Sequence, residues 1–338
     1  MVRVKLEDVC ERGTSNLKMS DVTDLSGNYP IYGAAGYIGN VDFYHQINPY
    51  VAIVKDGAGI GRAMLCPAQS SIIGTMQYLL PKKNILPRYL YYVVKYMHLE
   101  KYFTGATIPH IYFKDYKNET FNLEALERQK EIVTVLEKCE KVIEYRKREL
   151  NELDSLIKAR FVEMFGDPIY NANNLPMMCL NDLGVWNSGG TPSRTNPAYF
   201  TGEIDWYSAG ELNTLYLEGS IEKITEEAIQ ESAAKLFKAG SMLVGMYDTA
   251  AFKMGILKKA SASNQACACI EPNETVNIVW LYYSLQLMKE HFLSQRRGVR
   301  QKNLNLGMIK GFEIPIADRG KQDEFVCFAE QVDKSKVV

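Results

Sequence analysis

The chain has 338 residues, is 46% hydrophobic and 23% charged, and sets 39 Lys and Arg against 40 Asp and Glu for a net charge of -1. That is ordinary globular composition, long enough for two domains with a sizeable core, and it excludes a collagen-like, low-complexity or wholly disordered chain. Taken alone, the balanced charge argues mildly against a duplex nucleic-acid partner, which calls for concentrated positive charge.

The first eight residues, Met1 to Asp8, lack the apolar core of a signal peptide, and no apolar run approaches the ~18 residues of a membrane span. The seven cysteines include no CxxC pair, and the four histidines lie far apart. Reduced thiols, a cytoplasmic location, no membrane contact and no metal site are therefore expected.

Residues 1–122 alternate short apolar runs with glycine: Tyr29 to Gly36, Tyr50 to Val54, Gly57 to Gly61 and Ser71 to Leu80. These predict short strands and turns. A tyrosine-rich amphipathic helix opens at Leu90-Tyr91-Tyr92 and is expected to end near Thr104. The spacing of Gly57, Gly59 and Gly61 fails the GxGxxG pattern, so turn glycines are expected there and not a phosphate cradle.

From Leu123 to Phe165 there is neither proline nor glycine. Leu136, Ile143, Leu150, Ile157 and Met164 recur every seven residues. Cys139, Arg146, Leu153 and Arg160 follow three residues later, so the seam has polar breaks at both arginines. Asn122 is the expected N-cap, and Gly166-Asp167-Pro168 the stop. The helix would be roughly 60 Å long at 1.5 Å per residue, too long for one small domain to cover.

The segment from 166 to 338 repeats the pattern of the first. Its strand-like runs are Gly189 to Ser193, Ile204 to Gly210, Ser241 to Met246 and Asn264 to Ile270. A second tyrosine helix opens at Leu281-Tyr282-Tyr283, an offset of 191 residues, and ends near Gln295. With two more residues inserted, Ile132 to Glu137 falls on Phe325 to Glu330. Such long-period similarity implies a duplicated unit. The second long helix starts near Lys321 and has only 18 residues to Val338, so it is expected to be truncated.

The expected fold class is α+β, with two similar globular domains joined by a long coiled-coil-type helix. The boundaries are 1–122, helix 123–166, 167–320, and 321–338 as the start of the second helix. Leu136, Ile143, Leu150, Leu153, Ile157 and Met164 form the expected helix-packing or subunit surface. Leu136, Ile143, Leu150 and Ile157 are expected to be exposed, and the chain to self-associate through them.

No GxxxxGK[ST], GxSxG, HExxH or CxxC is present, and Asn48-Pro49-Tyr50 lacks the second proline of an adenine methyltransferase signature. A binding protein with no catalytic residues and no cofactor is favoured over an enzyme. Divided along the chain, the charge is +3 for residues 1–123, −1 for 124–165 and −3 for 166–338. The last part splits again, into eight acids and one base over 203–231 and ten bases and four acids over 232–302. The densest patch is Arg296, Arg297, Arg300 and Lys302. Its counterpart is the loop Thr104 to Ile111, with Lys101, His110 and Lys114 around it. Arg and Lys suit guanine edges and phosphates, and Asn264, Gln265, Gln301 and Asn303 suit adenine edges. Lys55, Arg62, Arg194 and Lys253 complete the candidate DNA contacts.

Five strings together resemble the specificity subunit of type I restriction–modification systems. They are Gln129–Glu137 (QKEIVTVLE), Leu153–Pro168 (LDSLIKARFVEMFGDP), Ser188–Ser193 (SGGTPS), Ile204–Tyr207 (IDWY) and Asn303–Leu306 (NLNL). The resemblance implies two target recognition domains, each reading half of a bipartite duplex DNA site. It implies spacer helices that pack antiparallel as a ruler, docked methyltransferase subunits, a restriction or translocating subunit, and no active site in the subunit itself. The alternatives are a truncated or silent copy that binds methyltransferase subunits without productive DNA recognition, and a stand-alone enzyme.

Overall fold

The structure, a computed structural model, describes residues 2–23, 26–105, 109–295 and 303–336. The chain separates into two units, residues 1–145 and 146–338. In the first, Val2–Lys5 (β1) leads through one helical turn, Leu6–Val9 (α1), into Cys10–Thr14 (β2). Tyr29–Gly33 (β3), Gly36–Val41 (β4), Tyr50–Val54 (β5), Ala63–Cys66 (β6), Ser71–Ile72 (β7) and Met76–Pro81 (β8) follow. The tyrosine helix is Pro87–Tyr96 (α2), then come Phe113–Tyr116 (α3) and Thr120–Leu123 (β9), and the long helix is Leu126–Phe165 (α4).

The main sheet has the order β2-β8-β5-β6, and a second sheet the order β4-β3-β7. All five residues of β5 are buried, as a continuous apolar run with a strand on each side should be. Val51 and Ile53 pack with Leu79 under Tyr89, Leu90 and Val94 of α2. Tyr50, Ala52 and Val54 face the other way, onto Met76 and Tyr78. The period of two thus puts one strand into two apolar layers.

The second unit holds Met177–Cys179 (β10), Gly184–Ser188 (β11), Ile204–Tyr207 (β12), Tyr216–Leu217 (β13), Glu222–Ile224 (β14) and Glu226–Glu231 (α5). Met242–Gly245 (β15), Met254–Leu257 (β16), Ala262–Ser263 (β17), Cys267–Pro272 (β18), Ile278–Ser294 (α6), Leu306–Lys310 (α7), Glu313–Pro315 (β19) and Arg319–Ser335 (α8) complete it. Its sheets run β11-β18-β15-β16-β13 and β14-β12-β17.

The repeat expected from the tyrosine helices extends to the strand register. Val51 pairs with Leu79 and Leu65 in the first unit, and Met242 with Ile270 and Ile256 in the second, all at an offset of 191. Each smaller sheet also contains one parallel pair, Ile31 with Ser71 and Trp206 with Ala262. There the first partners differ by 175 and the second by 191, so the second unit carries sixteen extra residues before β15. That stretch includes β13, which extends the main sheet, and α5.

A buried glutamine pins the same corner in both units. Gln129 of α4 accepts from the Leu86 amide and donates to the carbonyls of Asn84 and Glu124 at 2.8–3.0 Å. Gln322 of α8 accepts from the Asn277 amide and donates to Thr275 and Ala317 at 2.8–3.1 Å. Each therefore fastens the residue that caps a tyrosine helix, Leu86 or Asn277. Eleven residues further along each of these helices, Glu140 accepts from Tyr92 at 2.7 Å and Asp333 from Tyr283 at 3.2 Å. Burial, reinforced by the nearby carboxylate, raises the pKa of both phenols.

Three local expectations change. Asn122 does not cap the long helix: residues 120–123 form β9, paired with β1, and the helix begins at Leu126. The first tyrosine helix stops at Tyr96, because His98 takes a left-handed backbone (φ 51°) ahead of a short 3-10 turn, Leu99–Tyr102. Ile157, expected on an exposed seam, is fully buried. It shares a core with Phe161 and Phe165, whose rings meet Trp280 and Phe325 at 4.9–5.9 Å between centroids, counting the Phe161–Phe165 contact. Leu150, Leu153 and Met164 are half-buried, whereas Ile143 remains 55% exposed.

Within the second unit, the last part of α4 runs antiparallel to α8. Arg160 faces Glu324, Asp154 meets Lys336 at 2.6 Å, and Arg146 donates to the carbonyls of Ser335 and Lys336. The two arginines that interrupt the heptad seam are thus partners of α8, and Arg146 satisfies carbonyls that the end of a helix leaves open. Gly166, at φ 77°, closes α4 where expected.

Candidate nucleic-acid interface

Three loops meet at one end of the first unit's main sheet: the β5–β6 turn, the β7–β8 turn, and the segment after the tyrosine helix. Backbone bonds join them. The amides of Lys55 and Asp56 donate to the Thr75 carbonyl at 3.0 and 3.3 Å. Ile111 donates to Lys55 at 2.9 Å and Gly57 to Pro109 at 3.0 Å, while Thr104 and His110 exchange two bonds of 2.8 Å. Gly57, Gly59 and Gly61 all have φ between 78° and 88°, so they are turn glycines, and a side chain on Gly61 would run into the Glu100 backbone.

These bonds gather Lys55, Arg62 and His110. Asp56 ties two of them, with Oδ1 at 2.7 Å from His110 Nδ1 and Oδ2 at 3.2 Å from Lys55 Nζ. Arg62 is exposed and donates to the Ala34 carbonyl at 3.2 Å. The His110 ring stacks toward Tyr112, and Lys114 lies over the Tyr112 ring at 5.4 Å. Lys101 is drawn instead to Glu119 and rests over Tyr102.

The second unit builds the corresponding cluster on corresponding bonds. Met246 donates to Ala266 at 2.9 Å, as Lys55 does to Thr75, and Leu304 donates to Met246 at 2.8 Å, as Ile111 does to Lys55. The Asn303 side chain accepts from the Asp248 amide at 3.0 Å. Lys253 stands where Arg62 stands in the repeat and donates to the Gly210 carbonyl at 3.3 Å. Asn264 spends its side-chain carbonyl on the Ala266 amide, capping its own turn, while exposed Gln265 accepts from Thr191. Arg194 lies apart from this cluster. It forks onto Glu222 at 2.5 and 2.7 Å and stacks on Phe200 and Trp206. Arg296, Arg297, Arg300, Gln301 and Lys302 lie outside the described residues.

The arrangement presents cations and hydrogen-bonding groups on loops held by rigid strands, as recognition surfaces do. Among the described residues, no group of three or more His, Cys, Asp or Glu could hold a metal ion. Reading for positive charge missed Asp56 because its sign is wrong for a phosphate. It also missed Thr75 and Thr191, whose roles arise only from loops brought together by folding.

A family model described as the type I restriction modification DNA specificity domain matches residues 1–155 and 174–337. Among curated proteins, the chain is 22% identical over 213 residues to the type I restriction enzyme EcoR124I/EcoR124II specificity subunit of Escherichia coli, covering 61% of this chain and 52% of that protein. It is 25% identical over 159 residues to the type I restriction enzyme MjaIX specificity subunit of Methanocaldococcus jannaschii, covering 46% and 37%. The matched region therefore spans about half the length of these relatives, or less. Among solved structures, the type I restriction–modification S subunit from M. genitalium superposes with a TM-score of 0.61 at 12% identity, covering 99% of this chain and 90% of that one. A structure titled for complex assembly and conformational transition of the type I R-M system gives 0.54 at 14% identity, with the same coverage. Both show a shared fold.

Proposed function

We propose a DNA-recognition role for this chain, which belongs to the type I restriction modification DNA specificity family. In this reading, residues 1–122 and 167–320 are two target recognition domains, each reading half of a bipartite duplex site. The long helix sets their spacing and docks methyltransferase subunits, and a restriction or translocating subunit completes the complex. The chain itself is non-catalytic and works in the cytoplasm. Among the described residues, no helix is long and apolar enough to cross a membrane.

One observation carries the proposal. The same three-loop cluster is built twice on equivalent backbone bonds, but with different side chains, as two readers of different half-sites require. Lys55, Arg62, His110 and Lys114 are the proposed contacts of the first domain, with Lys101 at their margin. Lys253, Asn264 and Gln265 are those of the second, together with the basic run Arg296, Arg297, Arg300, Gln301 and Lys302. The test is a gel shift on a random-site library with the chain co-purified with its methyltransferase subunits. Arg62→Ala and Lys253→Ala are each expected to weaken binding and to lower the salt slope by about 1. Arg194→Ala, already committed to Glu222, is expected to leave the slope unchanged. A complex without sequence preference would defeat the proposal.

We further propose that two copies pair through the first part of α4. Tyr89, Tyr92, Val93, Ile132, Leu136 and Ile143 line a largely apolar groove of about 590 Å³ between α2 and α4. In the second unit the matching positions Trp280 and Phe325 are covered by Phe161 and Phe165, which share their core with Ile157. The groove therefore fits an amphipathic helix, and the exposed Val135, Val142 and Ile143 of a second copy supply one. Light scattering at tens of micromolar should give a dimer mass for the wild type and a monomer mass for Leu136→Asp/Ile143→Asp. A monomeric wild type would overturn it.

A further inference from the structure

We propose that Asp56, an acidic residue in a loop otherwise read through its cations, is a specificity-positioning residue that acts through His110. The inference rests on the DNA-recognition reading above and deepens it by naming the residue that orients one reading side chain. Asp56 is held from two sides. Its amide donates to Thr75, and its backbone forms an antiparallel bridge with His110. Its carboxylate therefore has little freedom, and it takes His110 Nδ1 at 2.7 Å.

A carboxylate accepts, so Nδ1 is the nitrogen that carries the proton. Nε2 is then the ring nitrogen left to meet a base edge. The imidazole side chain is 36% exposed, and its plane is steadied by the stacking on Tyr112 at 26° between planes. A ring held in one orientation offers that nitrogen to one base edge, so it reads one base pair of the half-site. Lys55, on the other carboxylate oxygen, supplies a cation beside it without competing for the ring. The pair belongs to the first domain alone: the position equivalent to Asp56 in the second unit is Tyr247, so the second half-site serves as an internal control.

The experiment uses the chain assembled with its methyltransferase subunits and sequences the methylated sites from a library randomised in both half-sites. Asp56→Asn is expected to reduce discrimination about tenfold at one base pair of one half-site and to leave the other half-site unchanged. His110→Ala should relax the same base pair, and Asp56→Asn should add nothing in that background. The inference is overturned if Asp56→Asn leaves every position unchanged, weakens both half-sites equally as a folding defect would, or has its full effect without His110. A wild-type complex that methylates without sequence preference removes the DNA-recognition reading itself, a different outcome from any of these. If Asp56→Asn does not fold, His110→Ala still decides whether one base pair of one half-site depends on the ring.

Discussion

Phe161→Ala is expected to destabilise the second unit by about 3–5 kcal/mol, the largest loss among the substitutions considered. Phe161 is 1% exposed. Its ring stacks on Trp280 at 5.6 Å and meets Phe325 edge-on at 5.2 Å, with Phe165 at 4.9 Å. Truncation removes the buried ring and leaves a cavity whose walls are themselves large rings on three helices, so they can collapse into it only in part. The lost aromatic pairs add about 0.5–1.5 kcal/mol each in favourable cases. Urea unfolding followed by tryptophan fluorescence is a suitable measurement, since Trp280 reports on this packing. Val162→Ala, one residue along and 41% exposed, is the control and should stay within about 0.5 kcal/mol. Equal losses for the two variants would mean that α4 is not part of this core.

Gln129→Leu should cost on the order of 3 kcal/mol in the first unit, and Gln322→Leu a similar amount in the second. The replacement is close in size and more apolar, so a purely hydrophobic account predicts little change. Hydrogen bonding predicts the opposite. Each substitution strands one amide and two carbonyls that the glutamine satisfies while fully buried. A buried orphan costs about 1–3 kcal/mol, and the stranded amide has fewer ways than a carbonyl to find a substitute. Thermal unfolding should shift down by roughly 10 °C for a unit of this size. The two substitutions should be additive, since they lie in separate units. A neutral Gln129→Leu would show that water replaces the side chain.

Local features carried much of the architecture into the primary structure. Gly166 ends α4 where a glycine before proline must end a helix, and β5 reads as a central strand because five apolar residues in succession have no solvent face to offer. The duplication was visible because the tyrosine helices recur at an offset of 191 residues, which is also the offset of the main-sheet strand register. Helix period, turn glycines and strand apolarity are short-range properties, and each needs only a few neighbouring residues to act.

Other outcomes depended on partners remote in sequence. Asn122 looked like the cap of the long helix and Leu123 its first residue, yet residues 120–123 pair as β9 with Val2–Lys5, more than a hundred residues away. Ile157 shares its heptad column with Ile143, but one is buried and the other exposed, because Trp280 and Phe325 cover only the end of α4 that belongs to the second unit. Arg194 looked like a free cation until Glu222 was found across from it. Gln129 and Asp56 had no distinguishing local pattern. Their roles come from amides, carbonyls and a histidine 43 to 54 residues away, which folding brings within 3 Å. Periodicity and chain stiffness act along the backbone and can be read from it; burial, ion pairing and hydrogen-bond satisfaction act through space and exist only once the chain has closed on itself.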